Sequence, residues 1–396
     1  MRTPRSRAGW FPGSPEVTFG FHTLALLAVI GLCGPLLAAI PRLSIPVIVG
    51  ELAAGIAVGK TGLGIVNPDD PTFSLLANIG FALVMFIVGT HVPVRDRSMR
   101  AQLPKALLRV IVIGAVGAVL GVLIARLSGT GHAPLYAVLM ASSSAALAMP
   151  VMDSLGMSGS SVLSVKAQIA IADASSIILL PLVIDPHRAP RAALGAAAVA
   201  ACGLLLYFVL DRGQKRGWLA QADEYSEARG EALELRISLI ALFGLAALAS
   251  STHVSIMLAG FVLGLAISAI GEPRRLAGQL FGLAEGFLAP LFFVWLGASL
   301  QVRELAERPA FIALGIALGI GAIAAHCVGR LFGLALSLSM LAAAQLGVPV
   351  AAATLGTEQH LLAPGEPAAL ILGALITVAA ATVAANIARR RFSAAQ

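Results

Sequence analysis

The chain is built from uninterrupted apolar runs, each close to twenty residues long. The first, from about Phe19 to Ile40, holds no Asp, Glu, Lys or Arg. About twenty such residues, rising ~1.5 Å each as a helix, cross the ~30 Å hydrocarbon core of a bilayer. The strands of a transmembrane barrel alternate polar and apolar residues, and these runs do not. Thirteen segments satisfy this ruler, near 19–40, 45–60, 73–92, 105–126, 133–155, 161–184, 190–210, 234–251, 253–270, 276–299, 309–332, 334–357 and 366–388. Composition agrees. Of the 396 residues, 58% are hydrophobic and 12% are charged, against about 25% charged in an ordinary soluble domain. A soluble globular enzyme and a disordered chain are both excluded. The fold class is an all-α polytopic membrane protein.

Thirteen spans occupy residues 1–396 as one membrane domain and leave no room for a soluble C-terminal domain. The longest polar stretch, 211–234, reads as a charged cytoplasmic linker. An odd number of spans places the termini on opposite sides. The net charge of +7 is explained by basic cytoplasmic loops and calls for no nucleic-acid partner. With the N-terminus outside, the inner loops collect most of the basic residues, including Arg95, Arg97, Arg100, Lys105 and Arg109, then Arg212, Lys215 and Arg216, then Arg389, Arg390 and Arg391. The expected arrangement is N-terminus out and C-terminus in. The first run lacks a cleavage site and is expected to remain as a span. Cys33, Cys202 and Cys327 lie far apart within apolar runs and read as small core residues, with no disulfide framework.

Two spans carry breaks. The fifth holds Ser142-Ser143-Ser144 and then Pro150; the twelfth holds Gly347-Val348-Pro349. Proline removes a backbone donor. In lipid, a broken helix is tolerated only against protein or a water-filled cavity. Broken helices at corresponding places in two halves of a transporter point to a midplane binding site.

Charges within the spans each require a reason, because an ionisable group in the bilayer core is costly. Asp173 lies midway along the sixth span, in Ala170-Ile171-Ala172-Asp173-Ala174. A carboxylate taken out of water favours its protonated form and a nearby guanidinium favours its ionised form, so such a group can trade a proton for a cation. A small monovalent cation needs hard oxygen ligands. Asp173, Ser143, Ser144 and free carbonyls at a helix break supply them. The alternative is a structural Asp–Arg pair tying two helices. Arg330, late in the eleventh span, does not lose its proton. It is expected to balance helix dipoles and Asp173, or to snorkel to the interface. Glu51, between Gly50 and Leu52, is expected to give electrostatic support, and Glu285 lies ahead of Pro290. Gly50, Gly55 and Gly59 read as a helix-packing seam. There is no nucleotide-binding loop and no catalytic constellation, so neither an enzyme nor a cofactor is expected.

At these residues the chain resembles the monovalent cation:proton antiporter family of the sodium/hydrogen exchanger superfamily, most closely its second bacterial branch. The resemblance is carried by Ile45-Pro46-Val47-Ile48-Val49-Gly50-Glu51-Leu52-Ala53-Ala54-Gly55, by Leu76-Ala77-Asn78-Ile79-Gly80-Phe81, and by Pro290-Leu291-Phe292-Phe293-Val294-Trp295-Leu296-Gly297. It implies inverted repeats with two crossed discontinuous helices, and a dimerisation domain beside a core domain. The core ion-binding helices are then 133–184 and 309–388. Asp173 matches the family's ion-binding aspartate and Arg330 its basic position. Ala172 stands where relatives carry Asp or Asn, which implies electroneutral exchange, one proton for one cation. The resemblance further implies a homodimer in a bacterial inner membrane, exchanging Na+ (or K+ or Li+) for protons by elevator-like alternating access. Two other readings are an organic-anion or other solute carrier on the same fold, and a non-transporting membrane sensor or scaffold.

Overall fold

The computed structural model describes residues 19–40, 47–90, 92, 97–229, 231–252, 254–271, 280–300 and 302–393. Among them ten helices are long and apolar enough to cross a membrane, and three shorter apolar helices complete thirteen crossings. We label the crossings α1 (Phe21–Ala38), α2 (Val47–Val58), α3 (Pro71–Thr90), α4 (Arg97–Ser128), α6 (Ser160–Ile184), α7 (Ala189–Lys215), α8 (Leu233–Ser251), α9 (Ile256–Ile270), α10 (Leu280–Ser299), α11 (Pro309–Phe332) and α13 (Glu366–Ser393). The fifth and twelfth are each two half-helices: α5a (Ala133–Ala141) with α5b (Ala145–Ser154), and α12a (Leu336–Ala342) with α12b (Gly347–Glu358). No strand occurs among the described residues. The chain is an integral membrane protein.

Why these residues form helices follows from the solvent. A backbone in hydrocarbon must satisfy its own N–H and C=O groups, and a helix does so locally. The apolar side chains then have nothing to gain from water and face lipid or one another. Leu194, Leu204, Leu205, Ile240 and Ile320 are accordingly exposed. Helix pairs approach closely at small residues. Gly55 of α2 lies on Val294 and Gly297 of α10, and Gly59 lies on Ala298, so a Cβ at either would run into backbone. Gly50 faces the other way, onto Gly34 of α1. The predicted seam is therefore real but serves two neighbours.

The polar stretch 211–234 is largely helical rather than open. α7 continues to Lys215, and a separate short helix covers Trp218–Arg229. The cysteines do not sit in the core as expected: Cys202 is exposed, and Cys33 and Cys327 are half-buried. Without competing water, a cysteine gains little by burial, so a lipid-facing position costs it little.

Two triplets of crossings repeat one pattern. Each has a long helix, a broken one and a second long helix: α4, α5a/α5b, α6 and α11, α12a/α12b, α13. The second triplet begins seven crossings after the first, an odd number, so the two run in opposite directions through the membrane. The triplets pack on each other, α4 and α5a against α11, and α12a and α12b against α6. The remaining crossings form their own group, led by α3 on α9 and α2 on α10, and touch the triplets at fewer places, such as α3 on α5b.

Candidate functional site

The two breaks meet. Residues Ser142–Ser144 and 343–346 are non-helical, and three hydrogen bonds join them directly. The Ser144 N–H donates to the Ala344 carbonyl (2.7 Å), the Ser143 hydroxyl to the Ala342 carbonyl (2.7 Å), and the Gln345 side-chain amide to the Ser142 carbonyl (3.2 Å). Ser142, Ser143, Ser144 and Gln345 are all buried. A helix interrupted inside a membrane leaves orphan donors at one end and orphan carbonyls at the other. Here each break satisfies part of the other's deficit.

Asp173 completes the first break. It is 3% exposed, and its Oδ2 accepts the N–H of Ala145, the first residue of α5b, at 3.0 Å. A carboxylate at a helix N-terminus lies at the positive end of the helix dipole. The second break has the same plan with a neutral group: the Gln345 N–H donates to Oγ1 of Thr377 on α13 (3.1 Å). Asp173 and Thr377 are thus counterparts, each on the last helix of its triplet and each holding the break of that triplet. His326 of α11 is buried beside the crossing, with Nε2 3.3 Å from Ser143 Oγ and Nδ1 3.0 Å from the Ala322 carbonyl.

Of the expected site residues, Asp173, Ser143 and Ser144 come together. Arg330 does not. α11 tightens at Val328–Phe332 into a 3-10 turn ending on left-handed Gly333 (φ +78°), and this turn carries the Arg330 side chain to the exposed surface. Among the described residues Asp173 and Arg330 form no ion pair. The N–H of Ala145, rather than a guanidinium, faces the Asp173 carboxylate. The prolines need the same correction. Gly347 and Pro349 lie in the first turn of α12b, after the break, where a proline's missing N–H is an orphan anyway. Pro150 falls inside α5b, past the break, and its side chain lies outside the described residues. The residues that break the helices are the serines and the 343–346 segment.

Two cavities flank the crossing at different depths along α3. One, of about 530 Å3, is lined by Val84 and Val88 of α3, Ala145 and Leu147 of α5b, Phe293 of α10 and Glu51 of α2. The other, of about 260 Å3, is lined by Asn78 and Phe81 of α3, Trp295 of α10, and Ala351 and Thr354 of α12b. Each therefore touches one of the half-helices that begin at the crossing. Phe292 lines the smaller cavity and its neighbour Phe293 the larger. Phe292 stacks on Phe81 with ring centroids 4.4 Å apart. Glu51 is buried and shares the lining of this cavity with Ala145, but among the described residues it makes no hydrogen bond to the crossing.

Other polar groups were not legible as site residues. Thr377 and Gln345 look unremarkable in apolar sequence; a polar residue beside a run of alanines was the available signal. Glu366, which no sequence feature singles out, is fully buried and accepts from His132 Nδ1 (2.7 Å), the Tyr136 hydroxyl (2.6 Å) and the Ala363 N–H (3.0 Å). The hydrogen bond to Glu366 holds the His132 imidazole above its ordinary pKa, against the opposing effect of its partial burial. Arg109, which sequence places in a basic loop, is buried within α4 and donates to the Ser164 carbonyl at 2.8 Å.

Inverted triplets of membrane helices with hydrogen-bonded breaks and a buried carboxylate at their crossing define a membrane-transport fold. Residues 25–387 match the sodium/hydrogen exchanger transmembrane family, and the chain belongs to it. It is 24% identical over 378 residues to YjbQ of Bacillus subtilis, a candidate Na+/H+ antiporter by its description, covering 89% of this chain and 61% of YjbQ. It is 29% identical over 289 residues to the glutathione-regulated potassium-efflux protein KefC of Salmonella paratyphi B, covering 70% of this chain and 45% of KefC. The chain thus spans between about half and three fifths of these relatives' lengths. Its fold matches the sodium proton antiporter MjNhaP1 of Methanocaldococcus jannaschii with a TM-score of 0.66 at 16% identity, over 93% of this chain and 97% of that one.

Proposed function

We propose that the protein exchanges a monovalent cation for a proton across a membrane, with Asp173 holding each in turn. The observation that carries this reading is the buried Asp173 carboxylate on the N-terminus of α5b, at the crossing of two broken helices. Carboxylate, serine hydroxyls and break carbonyls make a hard-oxygen donor set of the kind a small cation takes. The cation is the substrate, with Ser143 and Ser144 as supporting ligands. Na+ is the first choice, from the antiporter relatives; K+, from the KefC likeness, and Li+ are its competitors.

At the crossing, Asp173 is the acid and its counterpart is Thr377. One exchangeable carboxylate supports electroneutral exchange, one proton for one cation. The six helices α4–α6 and α11–α13 act as the core domain and move, elevator-like, against α1–α3 and α7–α10, which form the dimer domain. The two cavities at different depths along α3 are the access routes. We place the protein as a homodimer in a bacterial inner membrane, N-terminus outside. The anion-carrier alternative loses its support, because Arg330 is exposed away from the crossing and two carboxylates line the larger cavity.

Proteoliposomes enclosing a pH dye test the reading. Steps of external Na+, K+ or Li+ are expected to drive a pH change that Asp173→Asn abolishes. No cation-driven change in the wild-type protein, or full activity in Asp173→Asn, overturns it.

A further inference from the structure

Beyond giving access to Asp173, the larger cavity carries a lining whose chemistry the exchange does not require. Fifteen residues line it, and thirteen of them are Val, Ile, Leu, Ala, Phe or Pro; the other two are Glu51 and Glu285. No lysine, arginine or histidine is among them. Glu51 is 3% exposed, and among the described residues nothing donates a hydrogen bond to it or pairs with it. A carboxylate buried without a partner is unfavourable in its ionised form, so it either keeps its proton or takes a cation, and a cation entering the cavity competes for that place. The close approach of α1 to Glu51 depends on Gly34, where a Cβ would come within 2.6 Å of Glu51 Cγ. Glu285 stands on a π-helical turn, Ala284–Leu288, that interrupts α10. Turns of this kind frequently mark functional sites.

The wall chemistry selects the kind of cation. A bare alkali ion needs several oxygen ligands around it, and two carboxylates among thirteen apolar residues do not supply such a shell. A cation with a hydrocarbon body meets both requirements, its charged end on Glu51 and its body on Val84, Val88 and Phe293. A volume of about 530 Å3 lies within the ~300–1,000 Å3 range of small-molecule sites, which are mostly apolar with a few fixed polar groups.

We propose that this cavity is a binding site for a small organic monocation with an apolar body, anchored by Glu51 and assisted by Glu285. Because the cavity touches Ala145, whose N–H Asp173 holds, an occupant also stands in the route to the crossing. The site rests on the cavity and its two carboxylates and makes no use of the exchange reaction.

Isothermal titration calorimetry on the full chain in lipid nanodiscs tests it without a transport assay. The probe is benzylammonium, with benzyl alcohol as its neutral analogue. Saturable benzylammonium binding is expected, at least tenfold weaker in Glu51→Gln and a few-fold weaker in Glu285→Gln, with no saturable binding of benzyl alcohol. Val84→Phe, which fills the cavity from α3 and leaves both carboxylates in place, is expected to abolish binding as well. Equal binding of benzyl alcohol would make the cavity an apolar groove for acyl chains and overturn the proposal. So would benzylammonium binding that survives Val84→Phe or Glu51→Gln unchanged. A failure here leaves Asp173-dependent exchange intact, and a failure of exchange leaves this binding intact.

Discussion

The two broken helices share a backbone plan and differ in one functional group. In each, a residue on the last helix of the triplet accepts a backbone N–H at or beside the break: Asp173 from Ala145, just past the first break, and Thr377 from Gln345, within the second. Both acceptors are buried. The first can carry a charge and the second cannot. The architecture of the crossing is therefore symmetric and its chemistry is not. A hydroxyl is enough to hold a broken helix together, so the carboxylate in the other triplet is more than that structural task requires. This surplus is the reason we propose a transport role for Asp173 and a structural one for Thr377.

The comparison is broken most directly at Asp173. Asp173→Asn keeps the shape and an oxygen acceptor for Ala145 but removes the titrating charge. Exchange in proteoliposomes is expected to fall by about 100-fold or more, the scale associated with losing a proton-transfer group, while the melting temperature changes little. In solid-supported membrane electrophysiology the wild-type protein is expected to move no net charge under a cation gradient. A sustained current would show that a second charged group shares the cycle.

The converse change tests Thr377. Thr377→Ala strands the buried Gln345 N–H and is expected to cost about 1–3 kcal/mol of stability, read as a lowered melting temperature, with cation selectivity unchanged. If Thr377→Ala instead abolished exchange and left stability intact, the division of labour between the breaks would fail.

A smaller effect is expected where the ends of the triplets meet. Glu366 joins α13 to α5a through His132 and Tyr136. The hydrogen bond to Glu366 raises the His132 pKa above its ordinary 6.5. A group raised in the folded state contributes stability that is full below its unfolded pKa and is lost as pH rises through the folded value. The melting temperature is thus expected to fall by a few degrees as pH rises above about 6.5, the ordinary histidine value. Glu366→Gln is expected to remove that dependence. The smallest effect belongs to Arg330. Being exposed, Arg330→Gln is expected to change stability by under about 0.5 kcal/mol and to leave exchange within about twofold. A loss as deep as that of Asp173→Asn would return Arg330 to the site.

Much of this was legible in the sequence because a bilayer restricts the choices so strongly. Twenty apolar residues in a row leave a chain few alternatives to a spanning helix, and the thirteen runs correspond to thirteen crossings. A buried acid such as Asp173 is conspicuous for the same reason. The serine run Ser142–Ser144 marks the first break. The second break lies just before its sequence marker, at 343–346, because Gly347 and Pro349 look like breakers yet serve as the first turn of α12b. Arg330 and Arg109 were exchanged in character: the arginine read as embedded is exposed, and one read as a loop residue is buried on Ser164. Sequence reports how far a residue lies along a span but not which way it faces, and facing decides whether a charge meets protein, lipid or water.

The sequence by itself determined that this chain crosses a membrane many times as helices, that two crossings are interrupted, and that Asp173 is a charge in need of a reason. These follow from the cost of exposing backbone and charge to hydrocarbon, which is paid locally along the chain. Only the tertiary structure decided that the breaks bond to each other, that Thr377 mirrors Asp173, that Glu366 is the hub of a buried cluster and that Glu51 faces an apolar cavity. Each of these pairs residues tens to hundreds of positions apart, and such pairings depend on how inverted triplets pack, which no local pattern records.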